Sequence, residues 1–482
     1  MQLPLEIIDE ILSYVIQSDE TLKTLEPAWS FQNYTTNRTA TVIWDQFISS
    51  KLDPPPDGVS AKRKEGRGPN PWNQYPLLWR LYGLRLVSRG WNKSASRLLS
   101  RYGWWRLDFD EWSNIAKFFD LCAPSNVNQT STQNLFNRLY VSTITQVLPL
   151  PNGLLSCIDR SWAYKLLPKV IDNLTNIQAF SISFPGYRAT WSFNSDDVLG
   201  YVLDYDYDID LFDVVMDTIL TSLRSPAFQH LTDLRLTLPG AHDVRTLAMV
   251  IPQNVRHQLK HLYIELVDRT GPGCIEWFEG LNDRFQQGPP ESAPPPSILQ
   301  YRYPNRDHQD HMWSFIASCI NLESLGVSCS HYFELHKLKW EPGPESRGLR
   351  ALYLNRVYAN VSVLRDLLSA GHSKRETSSA RRVEFVNVRI WEDEELWSTV
   401  LEWMLWNCPD LEFLNIYNCG YTAQHKHHGE SGRVRTGARD PDGIQSTSSE
   451  DIASAEDILR EVIGKAGGLR LYPLDIKGFR DL

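Results

Sequence analysis

The sequence of 482 residues exceeds what one compact core usually serves, and its 42% hydrophobic and 22% charged residues are typical of a folded protein. A net charge of -9 gives no general attraction for nucleic acid or for an anionic membrane, and no segment reaches the roughly 18 apolar residues that a membrane-spanning helix needs. No secretory signal precedes the first helix, and the seven cysteines are scattered and odd in number, so we expect reduced thiols and a cytoplasmic or nuclear protein.

An amphipathic helix is predicted at the start of the chain. Pro4 stands where the first turn of a helix tolerates proline, and Glu6, Asp9 and Glu10 lie near the positive end of the helix dipole. One helical face carries the apolar residues Ile7, Ile8, Ile11, Leu12, Val15 and Ile16. From residue 18 to about residue 76 the periodicity fades and proline-rich and charged runs appear, which indicates an insertion or a linker.

A second amphipathic unit follows over about residues 77–100, where apolar residues recur at spacings of three or four. Its segment Leu84-x-x-Val87-Ser88-Arg89-x-Trp91, together with Leu3-Pro4-x-Glu6-Ile7 of the first helix, resembles the two halves of an F-box, a helical module of ubiquitin-ligase receptors. The resemblance covers residues 2–17 and about 77–100. The insertion between them is a departure, since the usual module has a short turn there.

This resemblance implies a surface that binds a SKP-type adaptor, which in turn joins the receptor to a cullin and a RING subunit. The residues that would form or support this surface are Leu3, Pro4, Ile7, Ile8, Ile11, Leu12, Leu84, Val87 and Trp91. A small helical module with more apolar surface than it can bury alone requires a partner. In the alternative interpretation, the same helices cap the rest of the chain and bury their apolar faces within it.

A strand phrase of the form apolar-x-x-apolar-x-apolar recurs through the remaining sequence and resembles the strand of a leucine-rich repeat. Clear copies begin at Leu231, Leu259, Leu322, Leu349, Val383 and Leu411, and weaker copies at Trp104, Phe136, Ile177 and Leu471. Leu231 and Leu259 lie 28 residues apart, a spacing typical of helix-and-strand repeats. The copy at Leu411 continues to Cys419 and completes the pattern L-x-x-L-x-L-x-x-C.

Helical patterns alternate with these phrases, for example from Leu211 and from Glu394. Strands that alternate with helices predict a parallel sheet with outer helices, and right-handed crossovers curve such units into a solenoid. We therefore predict an α/β protein with a helical F-box-like module at residues 1–100, interrupted at about 18–76. An irregular leucine-rich-repeat solenoid with a curved parallel sheet and outer helices follows at residues 101–482.

Long intervals between the phrases contain insertions at residues 184–210, 268–300 and 421–451, which are candidate recognition loops. With 17 tryptophans and 20 tyrosines, some aromatic side chains are expected on binding surfaces, where they supply contact area at low entropic cost. The residues predicted to contribute to such a substrate-binding face are Trp391, Tyr417 and Tyr421.

No metal, cofactor or catalytic residue is predicted. The histidines of the segment from His425 to His428 lack the further ligands of a closed zinc site, and the aspartates from Asp204 to Asp210 lack the glycine and the final glutamate of a calcium loop. Phosphate-binding, dinucleotide-binding, serine-hydrolase and zinc-protease motifs are missing from the sequence as well.

The resemblance predicts the non-catalytic, substrate-recognition subunit of an SCF-type cullin–RING ubiquitin ligase, which binds the adaptor through its N-terminal helices and an unknown protein target through its repeat domain. Two alternatives stay open. One is a scaffold of the same fold that never joins a ligase. The other is an enzyme such as a hydrolase with a loop histidine, which would need a pocket with a positioned nucleophile and base.

Overall fold

Strands that follow one another along the sequence lie side by side in one long sheet. The computed structural model describes residues 105–108, 138–142, 167–174, 176–184, 189–193, 199–203, 209–271, 273–274, 295–369, 377–391, 396–417, 419–421 and 449–465. In order across the sheet, the strands are β1 (Trp105–Asp108), β2 (Arg138–Ser142), β3 (Ala179–Ser183), β6 (Asp233–Leu238), β7 (His261–Leu266), β8 (Ser324–Glu334), β9 (Ala351–Ala359), β10 (Arg382–Val386) and β12 (Phe413–Tyr417). Each pairs with its neighbours in parallel, so these residues form a mixed α/β fold around a parallel sheet.

Each of these strands coincides with a phrase predicted from the sequence. In β6 the apolar positions Leu234, Leu236 and Leu238 alternate along the strand and are all fully buried. Because side chains on a strand alternate between the two faces, these leucines share one face. The register places Leu234 beside Leu262 of β7, so the apolar positions of neighbouring phrases line up across the sheet. The phrase at Leu471 lies outside the described residues.

Helices connect most of the strands. They are α1 (Ile209–Leu223), α2 (Ala241–Val250), α3 (Gln253–Gln258), α4 (Ile298–Arg302), α5 (Asn305–Ala317), α6 (Val361–Ser369), α7 (Trp397–Asn407) and α8 (Ser449–Lys465). The helical patterns at Leu211 and Glu394 correspond to α1 and α7, which confirms both predictions. Between β8 and β9 the chain instead makes a single 3-10 turn at Leu335–Lys337 and an irregular segment rich in proline and glycine. Proline lacks the amide hydrogen that a helix interior needs, which accounts for the missing helix.

One continuous apolar core lies between the sheet and the helices that cover it. It contains Leu354 at the centre of β9, Leu364 of α6 and Trp397 of α7, all fully buried. Continuous burial along neighbouring strands and helices stabilises the sheet, because no single strand and helix could bury its own apolar face.

The predicted insertion at residues 184–210 contains further structure. Two strands, β4 (Ala189–Phe193) and β5 (Leu199–Leu203), form an antiparallel pair that is separate from the long sheet. Two short strands, β11 (Arg389–Ile390) and β13 (Gly420–Tyr421), pair with one another, and β11 also pairs with β9. These short strands extend the sheet at the carboxyl ends of β9, β10 and β12.

Candidate binding surface at the carboxyl edge of the sheet

Two central strands continue beyond the regular part of the sheet. β8 and β9 pair in register as far as Ser328 and Asn355, and pairing resumes only at Phe333 and Val357. β8 has more residues than β9 within this bulge, and Arg356 of β9 adopts a left-handed backbone conformation with φ of 60°. Because a bulge changes which side chains face outward, the residues beyond it do not follow the pattern of the strand phrase.

A second, shorter strip of parallel pairing follows the bulge, and we call it the edge strip. In it Glu334 pairs with Tyr358, Tyr358 with Arg389, and Arg389 with Gly420. Register partners of neighbouring strands have their side chains on the same face of a sheet, so Glu334, Tyr358 and Arg389 share one face. The edge strip lies at the carboxyl ends of the parallel strands, which is where open α/β sheets bind their ligands.

Three aromatic side chains form a continuous row along the edge strip, and we call Tyr332, Tyr358 and Trp391 the aromatic row. The ring centroids of Tyr332 and Tyr358 are 4.9 Å apart, and those of Tyr358 and Trp391 are 5.3 Å apart. All three side chains are half-buried. The Trp391 amide donates a hydrogen bond to the Ala359 carbonyl oxygen at 3.3 Å, which ties the backbone at the end of the row to β9. Aromatic rings held in place in this way provide contact area for a partner at low entropic cost.

Charged groups flank the aromatic row. Burial raises the pKa of the Tyr358 hydroxyl, and the neighbouring Tyr332 and, to a smaller extent, Glu334 raise it further. The guanidinium groups of Arg389 and Arg306 lower this pKa and so oppose the rise. Two guanidinium groups therefore lie within electrostatic range of the middle of the row. Arg306 is exposed at the start of α5, and Arg389 is half-buried in the edge strip.

A buried polar network closes the base of the 268–300 segment next to this edge. The Asp268 carboxylate accepts hydrogen bonds from the Thr270 amide at 3.0 Å, from the Thr270 hydroxyl at 2.6 Å and from the Ser297 hydroxyl at 2.5 Å. The Ser297 amide donates to the Thr270 hydroxyl at 2.8 Å, and its hydroxyl caps α4 by accepting from the Gln300 amide at 3.0 Å. All four residues are buried, so both ends of the segment are fixed to one another.

Asn305 joins this network to the helices and to β8. Its side-chain oxygen accepts a hydrogen bond from the Ala241 amide at 2.9 Å and so caps the first turn of α2, while its side-chain nitrogen donates to the Ser330 hydroxyl at 3.1 Å. Gly240 precedes this cap, and a Cβ atom there would lie 3.1 Å from the Asn305 side-chain oxygen. Burial lowers the pKa of the adjacent His331 to about 4, so its imidazole is neutral at physiological pH.

The opposite face of the sheet is polar and aromatic, and it is buried as well. The Arg235 guanidinium, 1% exposed, makes two hydrogen bonds to the Asp233 carboxylate at 3.0 and 3.2 Å. Tyr263 and Tyr353 lie in register on either side of Gly326, and their ring centroids are 6.2 Å apart across the space that this glycine leaves. Because these variable positions of the phrases are buried, the accessible candidate surface is the carboxyl edge rather than the face of the central strands.

Glu265 is a fully buried carboxyl group of that face with a raised pKa. Burial raises its pKa to about 7, although Arg269, Arg356 and a hydrogen bond from Thr237 oppose the rise. Its carboxylate accepts that bond from the Thr237 hydroxyl at 3.4 Å. The group is thus near its midpoint of ionisation at neutral pH, inside a buried layer of the sheet.

The predicted binding residues Trp391, Tyr417 and Tyr421 have different surroundings. Trp391 lies in the aromatic row. Tyr417 is the last residue of β12 and pairs with Val386 of β10. The hydroxyl of Tyr421 donates to the Asp451 carboxylate at 2.6 Å, and it accepts from the amide at the start of α7 at 2.9 Å. These contacts give Tyr421 a role in joining α8 to α7. Its predicted role in binding stays a prediction, as does that of Tyr417.

Other predicted site residues lie outside the described residues. They are the adaptor-binding residues Leu3, Pro4, Ile7, Ile8, Ile11, Leu12, Leu84, Val87 and Trp91, and the histidines of the segment from His425 to His428. Within the described ranges no group of three or more His, Cys, Asp or Glu side chains is arranged to hold a metal ion. The sequence interpretation missed Tyr332 and Tyr358. Both follow strand phrases within the β8 and β9 sequences, and this proximity is the only signal that could have indicated them.

The cysteines that the structure describes are enclosed by the fold. They are Cys274, Cys319, Cys329, Cys408 and Cys419, and all are buried. Burial raises the pKa of the Cys319 thiol to about 12, so this side chain is a packing group. Cys419, the residue that completes the repeat pattern, donates a hydrogen bond to the Phe385 carbonyl oxygen at 3.4 Å.

Comparison with known proteins leaves the family open, since no protein-family model matches the sequence and no curated protein matches it either. Among the described residues, no helix is both long enough and apolar enough to cross a membrane.

Proposed function

We propose that this protein is the substrate-recognition subunit of an SCF-type cullin–RING ubiquitin ligase, built as an F-box-like module followed by a leucine-rich-repeat solenoid. The observation that carries the solenoid part is the uninterrupted series of parallel strands in chain order, one for each repeat phrase in the described residues. The F-box part rests on the sequence pattern of residues 2–17 and 77–100, in particular Leu3-Pro4-x-Glu6-Ile7 and Val87-Ser88-Arg89-x-Trp91.

In this proposal the protein performs no chemistry itself. The F-box-like module holds the SKP-type adaptor and, through it, the cullin and RING subunit, while the repeat region holds the target protein. Ubiquitin transfer is then accelerated because the target's lysines are kept at a high effective concentration near the loaded ligase. The reaction therefore depends on two separate binding surfaces, one on the F-box-like module and one on the repeat region.

The target-binding surface in this proposal is the carboxyl edge of the sheet. The aromatic row supplies half-buried rings on rigid strands, the type of side chain that dominates the energetics of protein interfaces. Arg306 and Arg389 lie within electrostatic range of Tyr358 and add charges that orient a partner. The loop insertion at 268–300 departs from the same edge and can add contacts of its own.

The adaptor side is tested by pull-down of purified SKP-type adaptor with the intact chain and with an Ile11→Asp, Leu12→Asp double variant. We expect the intact chain to bind and the double variant to lose binding, because two carboxylates cannot be buried in an apolar interface. The matched control is a Val214→Asp, Met249→Asp variant, which makes the same changes at exposed positions of α1 and α2. If the intact chain fails to bind the adaptor, the receptor proposal is wrong and the scaffold of the same fold becomes the better interpretation.

The target side is tested in cells by quantitative proteomics. Target proteins should accumulate when the intact chain is replaced by the adaptor-deficient double variant, and the same proteins should accumulate with Trp391→Ala. The matched control is Trp406→Ala, which removes an indole that is 79% exposed on α7. If Trp391→Ala and Trp406→Ala leave the same protein levels, the aromatic row is not the target-binding surface.

A further inference from the structure

A cluster of basic and aromatic side chains lies where α2 packs against α5. The ring of His242 lies flat on the ring of Tyr303, with centroids 4.0 Å apart and planes 3° from parallel. The ring of His308 approaches His242 edge-on at 5.1 Å, and His311 stacks on His308 at 5.6 Å. Arg245 follows His242 by one turn of α2. We call these five residues the histidine cluster.

The basic groups of the histidine cluster repel one another. Burial lowers the pKa of His242, and the charges that lower it further come from His308, His311 and Arg245. The pKa of His311 is lowered by burial first and then by Arg245 and His308. All the charged groups that act on His242 are thus basic, and the cluster becomes more strained electrostatically with each proton it takes up.

The neighbouring acidic groups do little to offset this charge. Asp310 raises the pKa of His311 only weakly, and its carboxylate is paired with the Lys337 ammonium at 3.1 Å. The carboxylate of Asp243 accepts a hydrogen bond from the Gly240 amide at 3.0 Å, and burial raises its pKa to about 7. Asp307 is exposed in the first turn of α5. The cluster therefore has basic groups at its centre. The carboxylates around it are either bonded to other groups or exposed at its margin.

Two features of the backbone and of His242 add to the attraction for an anion. α2 and α5 both begin at this edge of the sheet, and the amide groups in the first turn of a helix carry a partial positive charge. The Nδ1 atom of His242 is buried and has no hydrogen-bond partner within the described part of the chain. A bound anion would accept hydrogen bonds from the imidazoles and would remove the repulsion between them.

We propose that the histidine cluster binds the phosphoryl group of a ligand, as a dianion held by His308, His311 and Arg245 beside His242. A tetrahedral dianion has enough acceptor oxygens for several imidazole and guanidinium donors at once. The residues come from two helices that are packed together, so the donors are assembled before the ligand arrives.

The histidine cluster and the aromatic row share the carboxyl edge of the sheet. Asn305 at the start of α5 bonds to Ser330 beside the bulge, and Arg306 acts on Tyr358 of the row. If the protein is a target receptor, which this step takes from the proposed function, a target segment that crosses the edge can contact both surfaces. In that case the phosphoryl group belongs to a modified side chain of the target. Binding of the anion to the histidine cluster does not require the adaptor.

The direct test is calorimetric titration of the full chain with sodium sulfate at pH 5.5 and pH 8.0, with chloride holding the ionic strength constant. Sulfate copies the shape and charge of a phosphoryl dianion and does not titrate in this range, so any pH dependence comes from the protein. We expect about tenfold tighter binding at pH 5.5, with proton uptake seen as a difference between buffers of different ionisation heat. Equal affinity at both pH values would overturn the proposal.

Variants separate the cluster from general surface charge. His308→Gln should weaken sulfate binding at pH 5.5 about tenfold, and His308→Lys should restore binding while reducing its pH dependence, because a lysine stays charged throughout. The matched control is His230→Gln, which removes an exposed imidazole elsewhere on the chain and should leave binding unchanged. Equal binding by His308→Gln and His230→Gln, with folding verified by circular dichroism, would show that the cluster is not the site.

Two further titrations distinguish the source of the phosphoryl group, using inorganic phosphate in one arm and a phosphoserine peptide with its unphosphorylated twin in the other. The proposal expects phosphate and the phosphopeptide to bind in a His308-dependent manner and the unphosphorylated peptide to bind weakly. An additional affinity of the phosphopeptide that is lost in Trp391→Ala identifies the ligand as a modified protein segment. Binding of both peptides with equal affinity would contradict the proposal. Since these titrations need no adaptor, their failure is distinguishable from failure of the adaptor pull-down.

Discussion

Replacing Glu265 by glutamine should change how the stability of the protein depends on pH. The folded-state pKa of Glu265 is about 7, against 4.5 for the free side chain, because the carboxyl is buried on the sheet face. A group with a raised folded-state pKa contributes stability that is fully present below its unfolded pKa and is lost as the pH rises through the folded pKa. At about 1.4 kcal/mol per pKa unit, ionised Glu265 costs roughly 3 kcal/mol of folding free energy above pH 7.

The Glu265→Gln variant keeps the size of the side chain and cannot ionise. Relative to the parent, its free energy of unfolding should therefore rise by roughly 3 kcal/mol between pH 4.5 and pH 8, as measured by urea unfolding followed by circular dichroism. Asp243 has a similarly raised pKa, but it is present in both proteins and cancels in the difference. The matched control is Glu345→Gln at an exposed position. A stability difference that stays constant over this pH range would refute the argument.

Two further predictions concern packing and the attachment of the last helix. Leu354→Ala should lower the free energy of unfolding by about 3 kcal/mol because it leaves a cavity in the buried centre of β9, whereas Met249→Ala, at a side chain 72% exposed, should change it by less than about 0.5 kcal/mol. Thermal unfolding of both variants measures this, and equal shifts of Tm would contradict the assigned core. Tyr421→Phe removes the hydroxyl that bonds to Asp451, so amide hydrogens of α8 should exchange faster in a hydrogen-exchange experiment. Tyr301→Phe, at a side chain 78% exposed, should leave that exchange unchanged, and an unchanged α8 in both variants would argue against the anchoring role.

The parallel sheet was predictable because the spacing of apolar residues in each phrase indicates a strand with one buried face. In the phrase from Leu231, alternating leucines indicate one buried face, and repetition of the phrase along the chain indicates neighbouring strands of similar form. The antiparallel pair β4 and β5 was not predicted, since the insertion that contains it has no counterpart in the repeat. The missing helix between β8 and β9 follows from prolines at positions 342 and 344, which the repeat pattern alone does not take into account.

The candidate surface was predictable only in part. Trp391 lies three residues after the end of a strand phrase, so its position near the end of a strand could be predicted from the sequence. Tyr332 and Tyr358 lie beyond the bulge in β8 and β9, where the alternation of buried and exposed residues no longer continues from the phrase. The histidine cluster depends on how α2 packs against α5, and His242 and His308 are too far apart in the sequence for any local pattern to join them.

The buried hydrogen bonds between Asp268, Thr270 and Ser297 fix the two ends of one loop. The stability of the sheet therefore does not depend on how long that loop is. Because these residues are hydrogen-bonded to one another, the positions of the loop ends near Cys274 and Pro295 are set by the bonds themselves. They do not depend on the number or type of residues between them. Closing a longer loop between fixed ends costs only about 0.6 kcal/mol for each doubling of its length. The segment between these ends can therefore diverge, lengthen or shorten during evolution while the parallel sheet keeps its fold.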